Sequence, residues 1–152
     1  MADGANPGQV QRLAAYAVVV RGERMLLVRL SEQTPYPGAW TLPGGGVDFG
    51  EAPRDAVLRE LHEETGLTGS VEALLGVHSA VREPSDQGPD VLHAVRIVYR
   101  VHVDADGPLT IHDVGGSSDG VEWVDLAEVP GRWLSPIVEF ALDRLHHPGA
   151  PV

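Results

Sequence analysis

The chain has no cysteine and no lysine among its 152 residues. The absence of cysteine excludes disulfides, thiol nucleophiles and cysteine-bound metals. The absence of lysine excludes Schiff-base chemistry, and all 11 basic residues other than histidine are therefore arginine. A side chain that grips phosphate directly must be one of these arginines or a protonated histidine.

Long apolar runs and a secretory leader are also missing. The apolar run at residues 14–20 is too short to cross a bilayer, and Asp3 and the Gly and Pro residues before it do not fit a signal peptide. These absences predict a soluble protein of the cytoplasm. The net charge of −11 argues against general nucleic-acid binding and against anionic membranes as partners.

Length and residue pattern predict one domain. We expect a flexible lead at residues 1–12, a folded domain at 13–147 and a tail at 148–152. Strands are predicted at 16–20, 25–30, 71–81, 91–103 and 121–124, with loops at 31–39, 83–89, 104–108 and 115–120. A central helix and a final helix from Ser135-Pro136 to about His146 complete an α/β layered pattern.

The strongest signal is a stretch of 23 residues in which nine positions fit one pattern: Gly45, Glu51, Arg59, Glu60, Leu61, Glu63, Glu64, Gly66 and Leu67. Pro53 suits a first helical turn, and Gly66 suits the left-handed conformation that ends a helix. The stretch therefore predicts a helix between these two residues.

Three carboxylates of this helix, those of Glu60, Glu63 and Glu64, fall within roughly one 100° arc. Like charges at this spacing repel, and the helix dipole disfavours anions near the C-terminal end. Folding gives no reason for the arrangement, whereas a bound divalent cation does, because Mg²⁺ prefers oxygen ligands. In isolation, a solvated acidic face explains these residues as well.

The residues before the helix add to the metal interpretation. Gly44, Gly45 and Gly46 can turn tightly and bring the backbone close to a ligand. Glu51 lies near the helix start, and Arg59 could pair with it or orient a metal ligand. The alternative for Arg59 is an ordinary surface salt bridge.

The nine positions, with Trp40-x-Leu-Pro-Gly-Gly before them and Glu122-Trp-Val after them, resemble the Nudix hydrolase (MutT-like) family. The resemblance implies an α/β/α sandwich with a mixed β-sheet. It also implies a hydrolase that uses Mg²⁺, or Mn²⁺ in its place, to cleave the phosphoanhydride of a nucleoside diphosphate linked to another moiety. The implied partner is a small-molecule nucleotide, and a homodimer stays open.

The resemblance assigns roles residue by residue. Glu60, Glu63 and Glu64 match the metal ligands, together with Gly45, and one carboxylate or a residue from a later loop deprotonates the attacking water. Arg59 joins the catalytic group, and the three glycines Gly44, Gly45 and Gly46 are expected to contact substrate.

Residues outside the stretch give weaker hypotheses. Arg29 matches a phosphate-contacting position, or it is an exposed residue at a strand end. Asp119 is the first candidate for an additional acidic ligand or base and Glu122 the second, although an Asp also forms turns. Three aromatic residues could stack on a base, although packing explains them as well: Tyr36, Trp40 and Phe49.

Substrates within the predicted class include nucleoside triphosphates, ADP-ribose and nucleotide sugars, and the sequence does not choose among them. A non-catalytic nucleotide or ADP-ribose sensor on the same scaffold is the main alternative, but such a protein is expected to lose catalytic carboxylates. A Nudix-type isomerase of isoprenyl diphosphate is the other, and the lack of cysteine argues against it.

Overall fold

The computed structural model describes residues 8–84, 90–104 and 107–149. The elements in chain order are β1 (Gln9–Val18), β2 (Val20–Arg21), β3 (Arg24–Leu30), β4 (Trp40–Thr41), β5 (Gly44–Gly46), α1 (Pro53–Thr65), β6 (Gly69–Arg82), β7 (Val91–Val103), β8 (Ser118–Asp125), a 3₁₀ turn (Val129–Gly131) and α2 (Pro136–His146). The predicted α/β fold with a mixed sheet is confirmed.

The strands form two sheets. The first has the order β5-β1-β7-β6, in which β1 runs parallel to β7 and the other pairs are antiparallel. In the second sheet, β3 pairs with β2, β4 and β8. The first sheet therefore carries the glycine strand β5 at its edge, beside β1.

The helices cover opposite faces of the first sheet. Ala15 and Ala17 of β1 belong to a buried cluster with Val57 and Leu61 of α1. Val18, whose side chain points to the other face, belongs to a second cluster with Ile137 of α2. This arrangement matches the expected layers of helix, sheet and helix.

The predicted ends of both helices are confirmed. Pro53 begins α1, and Gly66 ends it at φ 77°, with its N–H donating to the His62 carbonyl over 2.9 Å. Pro136 begins α2, which runs to His146. In the part of the chain that the structure describes, none of the helices is long and apolar enough to cross a membrane.

The first strand differs from the sequence prediction in two ways. Residues 9–12, expected within a flexible lead, begin β1, because their backbone pairs with β7 from Gln9 opposite Val91 onward. Residues 1–7 lie outside the described residues. The predicted strand at 16–20 is divided between β1 and β2, and only β2 forms the expected hairpin with β3.

The four loop predictions have different outcomes. Residues 31–39 lie outside the named helices and strands, as expected. The predicted loop at 115–120 ends earlier, because β8 begins at Ser118. Residues 85–89 and 105–106, within the other two predicted loops, lie outside the described residues.

Candidate active site

Helix α1 and the glycine strand β5 build the centre of the site. They contact each other directly, and α1 also packs on β1. Val57 and Leu61 are fully buried beneath the helix. The adjoining part of the helix surface holds the carboxylates beside β5, and Glu64 among them is itself buried.

Arg59 connects most of the predicted residues. Its Nε and Nη2 atoms donate to the two carboxylate oxygens of Glu51, each over 2.8 Å. Its Nη1 donates to Glu60 over 3.0 Å and reaches both oxygens of Glu63 at 3.4 Å. Nη2 also donates to the Gly46 carbonyl over 3.1 Å. One guanidinium thus positions three acidic side chains and the glycine strand.

Arg59 and Glu51 each stabilise the charged form of the other. Its hydrogen bonds to Glu51 hold the pKa of that carboxyl well below its usual range, at about 2. The same contact, followed by the one with Glu60, raises the pKa of the guanidinium. Arg59 is therefore a bidentate clamp within the site, which is more than the ordinary surface salt bridge considered from the sequence.

Glu64 is buried and contacts the glycine strand. Its side chain accepts a hydrogen bond from the Gly44 N–H over 2.9 Å and a longer one from Ser118 Oγ over 3.3 Å. Burial is the main reason that its pKa rises from 4.5 to about 8; the hydrogen bond from Gly44 opposes this rise, and the nearby charge of Glu60 adds to it. A buried carboxyl of this kind favours either a proton or a cation beside it.

Glu60 lies against Gly45. A Cβ added to Gly45 would lie 2.8 Å from the Glu60 carboxyl carbon, closer than side-chain carbons approach in folded proteins. Only glycine therefore allows β5 to come this near to the carboxylate. Burial raises the pKa of Glu60, and the Arg59 hydrogen bond opposes the rise.

These donors fit a hard divalent cation in their chemistry. Glu60 lies against Gly45, Glu64 accepts a hydrogen bond from Gly44, and Glu63 lies on the same helix between them in sequence. The raised pKa of Glu64 reflects the cost of ionising a carboxyl at a buried position, a cost that a cation beside it would offset. Among the described residues, no group of three or more His, Asp or Glu side chains is placed to hold a metal ion as it stands. Arg59 draws Glu60 and Glu63 toward itself, so these carboxylates would have to turn to bind one.

Arg29 and Asp119 form a pair of their own. Arg29 Nε donates to Asp119 Oδ1 over 2.7 Å, at a register shift between β3 and β8. Both side chains are about half exposed, so the ion pair itself adds little stability. The neighbouring residue, Ser118, contacts Glu64, so the backbone of β8 connects the pair to the carboxylate cluster.

A cavity of about 420 Å³ has Ser31, Ile111, Ser118 and Asp119 among its lining residues. It meets the carboxylate cluster only through Ser118, since neither the glutamates of α1 nor β5 line it. Ser118, which donates to Glu64, is a residue of the candidate site that sequence reasoning missed. A serine before an aspartate in a glycine-rich segment carries no signal for contact with a carboxyl group 54 positions earlier.

The other residues considered from the sequence lie apart from this cluster. Glu122 makes a bidentate pair with Arg132, at 2.9 and 2.8 Å, and this contact lowers the pKa of its carboxyl. Arg132 also lies over the ring of Trp40. Phe49 is fully exposed and Tyr36 about half exposed, so core packing does not explain either of them.

Comparison with known proteins gives independent evidence for the family of this chain. The family model described as the NUDIX domain matches residues 10–143. An ADP-ribose pyrophosphatase from Methanocaldococcus jannaschii is 34% identical over 119 residues, which are 78% of this chain and 64% of that protein. The chain thus spans less than two thirds of the length of this relative.

Two solved structures have the same fold along most of the chain. A MutT Nudix hydrolase from Burkholderia pseudomallei has a TM-score of 0.73 and 28% identity, covering 90% of this chain and 99% of that one. The Nudix domain of NrtR from Shewanella oneidensis, solved with ADP-ribose, has a TM-score of 0.70 and 26% identity, covering 90% of each chain. The matched motif, the fold and the family model agree, and the chain belongs to the Nudix family.

Proposed function

We propose that this protein is a metal-dependent hydrolase that cleaves the phosphoanhydride of a nucleoside diphosphate linked to another moiety, by attack of water on phosphorus. The observation that carries the proposal is the convergence of Glu60 and Glu64 on the glycine strand, with Glu63 held nearby by Arg59. Carboxylates gathered at a close backbone approach are suited to hold a cation against a substrate phosphate.

The proposed ligands are Glu60, Glu63 and Glu64, with the backbone of Gly45, and the cation is Mg²⁺ or Mn²⁺. When bound, it supplies charge neutralisation for the phosphates and a lower pKa for the attacking water. Arg59 orients Glu60 and Glu63, and its ion pair with Glu51 keeps the guanidinium in place. Asp119 stays a proposed acidic ligand or base, and Arg29 a proposed phosphate contact.

The proposed substrate class rests on the family and on the activities for which similar proteins are named. ADP-ribose is the first substrate to test, because a relative at 34% identity is named as its pyrophosphatase. Nucleoside triphosphates and nucleotide sugars belong in the same panel. Like ADP-ribose, each has a phosphoanhydride at the phosphate that is attached to the nucleoside.

The proposal is tested by turnover of this panel with Mg²⁺, with Mn²⁺ and with excess EDTA, followed by measurement of phosphate products. Glu63→Gln removes one negative ligand while keeping the side-chain shape, and we expect turnover to fall by about a hundredfold or more. Asp55→Asn is the matched control, because Asp55 is an exposed carboxylate in the first turn of the same helix.

Near-normal turnover of Glu63→Gln, with the control equally active, would remove Glu63 from the proposed ligands. A folded wild-type protein that is inactive on the whole panel would refute the hydrolase proposal. The same protein binding ADP-ribose without cleaving it would favour the alternative of a nucleotide sensor, for which the ADP-ribose complex of the NrtR Nudix domain is the supporting comparison.

A further inference from the structure

Strands from both sheets donate hydrogen bonds to the buried carboxyl of Glu64. The Gly44 N–H of β5 donates to Glu64 Oε2 over 2.9 Å, and Ser118 Oγ of β8 donates to Glu64 Oε1 over 3.3 Å. Since β5 belongs to the first sheet and β8 to the second, this carboxyl lies where the two sheets meet. Each of its oxygens has one donor from the protein and can still accept a second partner.

Glu64 differs from the other two glutamates of the cluster in having no arginine partner. Arg59 contacts Glu60 and Glu63, whereas no cationic side chain within the described ranges forms an ion pair with Glu64. To bind a cation, Glu60 and Glu63 would have to turn away from Arg59. Glu64 needs no such change, so its orientation toward a cation depends on its two hydrogen-bond donors.

A β-bulge lies at the start of β8, next to one of these donors. Leu30 of β3 lies opposite Ser118. The residue before Leu30, Arg29, lies opposite Gly120, so Asp119 is an extra residue without a counterpart on β3. An extra residue of this kind changes the direction in which the neighbouring side chains point.

The bulge brings Ser118 to the α1 side of β8. Val121 and Trp123, two positions apart, both pack against the buried cluster that includes α1. Simple alternation along the strand would place Asp119 on their face and Ser118 on the other. The observed order is reversed, because it is Ser118 that contacts α1, through Glu64.

A second serine fixes the segment that precedes Ser118. Ser31 Oγ donates to the Gly116 carbonyl over 2.7 Å, and the Ser31 N–H donates to the Ser117 carbonyl over 2.9 Å. The same Oγ accepts a hydrogen bond from the Gln33 N–H over 3.2 Å, so the hydroxyl is itself held in place. Ser31 is only 8% exposed, and water therefore competes little for these bonds.

The other end of this segment is fixed by α1 itself. The Thr110 N–H donates to the Thr65 carbonyl over 2.9 Å. Thr65 is the last residue of α1, and the last four carbonyls of a helix have no partner within it. Residues 110–118 are therefore anchored by α1 at one end and by Ser31 at the other, which sets the position of Ser118.

We infer that Ser118 is a positioning residue for the metal ion: its hydroxyl, held in place through Ser31, fixes the carboxyl of Glu64 as a ligand for a hard divalent cation. The inference rests on the proposed function, because Glu64 is one of the ligands proposed there. Losing a donor that orients a metal ligand weakens metal binding by about ten- to a hundredfold. Since 3.3 Å is long for a hydroxyl donor, the lower limit is expected here.

A purely structural role for Ser118 is the alternative. A buried carboxyl needs hydrogen-bond donors whether or not it binds a metal, and loss of the hydroxyl would then lower only the stability of the fold. The two roles differ in a quantity that is measured without substrate, the affinity for a divalent cation.

The test is a titration with Mn²⁺ in the absence of substrate, in which the EPR signal of free Mn²⁺ gives the affinity. Ser118→Ala should weaken binding by about tenfold, and Ser31→Ala by about threefold or more, because it loosens Ser118 without removing it. Ser118→Thr keeps the hydroxyl and should bind within about threefold of wild type.

Ser135→Ala is the matched control, because Ser135 is also a partly buried serine whose hydroxyl donates a hydrogen bond, to Thr41 Oγ1 over 2.8 Å instead of to a carboxylate. We expect its Mn²⁺ affinity to stay within about twofold of wild type. Melting temperatures show whether each variant is folded.

A double-mutant cycle shows whether Ser118 acts through Glu64. Glu64→Gln alone should weaken Mn²⁺ binding, and adding Ser118→Ala should weaken it by less than about twofold more, because a positioning residue has no effect once its target is replaced. Equal losses on Ser118→Ala in both backgrounds would overturn the inference.

An unchanged Mn²⁺ affinity in Ser118→Ala, with or without a lower melting temperature, would overturn the inference and leave the structural role. If Ser118→Ala does not fold, Ser31→Ala carries the same test, and an affinity equal to that of wild type would overturn the inference there.

Mn²⁺ binding is measured without turnover, so the two proposals can fail separately. A protein that is inactive on the nucleotide panel but whose Mn²⁺ affinity depends on Ser118 would refute the hydrolase proposal and leave this inference standing. An active enzyme with the same Mn²⁺ affinity in wild type and Ser118→Ala would do the opposite.

Discussion

Replacing Glu64 with glutamine should change how the stability of the metal-free protein depends on pH. In the folded protein the pKa of Glu64 is raised from 4.5 to about 8, mainly by burial. Between these two values the folded state keeps a proton that the unfolded state has released. The free energy of unfolding therefore falls as pH rises through this window, and the ionised carboxyl destabilises the fold above it.

The size of the effect follows from the pKa difference. A single group contributes about 1.4 kcal/mol per pH unit within the window, which amounts to about 2 to 3 kcal/mol between pH 5 and 7.5. Glutamine keeps an acceptor for the Gly44 N–H and removes the ionisable group. The stability difference between Glu64→Gln and wild type should therefore shift in favour of the variant as pH rises.

The assay is urea unfolding in EDTA at several pH values for wild type, Glu64→Gln and the exposed control Asp55→Asn. Subtracting the wild-type curve from each variant curve cancels titrations that the proteins share. We expect a sloping difference for Glu64→Gln and a flat one for the control. A flat difference for Glu64→Gln as well would show that Glu64 titrates near its ordinary pKa, and the account of a buried uncompensated charge would be wrong.

Three further outcomes follow from the same geometry. Saturating Mg²⁺ should flatten the pH dependence of wild-type stability above pH 6, because a cation at Glu64 favours its ionised form; unfolding curves that are unchanged by Mg²⁺ would contradict a metal site there. Arg59→Lys should lower kcat by about tenfold or more while the fold is retained, because lysine cannot make the bidentate contact with Glu51 and reach Glu60 at once. Steady-state kinetics would measure the loss of kcat, and circular dichroism would check that the fold is retained. Gly45→Ala should reduce activity far more than Gly131→Ala, since a Cβ at Gly45 meets the Glu60 carboxyl at 2.8 Å and one at Gly131 meets nothing within 4 Å. Equal activities of the two variants would contradict the close approach of β5 to Glu60.

Local signals in the sequence predicted the centre of this fold well. Pro53 and Gly66 gave the ends of α1, because a proline fits the first turn and a glycine at positive φ ends the last one. Strand β7 has the bounds expected from its run of β-branched and aromatic residues. Arg59, Glu60, Glu63 and Glu64 come together because helical spacing places them on one surface.

Contacts between distant segments were beyond such reasoning. Residues 9–12 are exposed and three of the four are polar, and only their pairing with β7, about 80 positions later, makes them a strand. Ser118 reaches Glu64, and Asp119 pairs with Arg29, through the alignment of β8 on β3.

The most direct test of the central claim is turnover of the nucleotide panel in ¹⁸O-labelled water, with products analysed by mass spectrometry. The account predicts that one phosphoryl product carries a single ¹⁸O atom when Mg²⁺ is present, and that no product forms in EDTA. A folded wild-type protein that yields no labelled product from any nucleotide at saturating Mg²⁺ would contradict it.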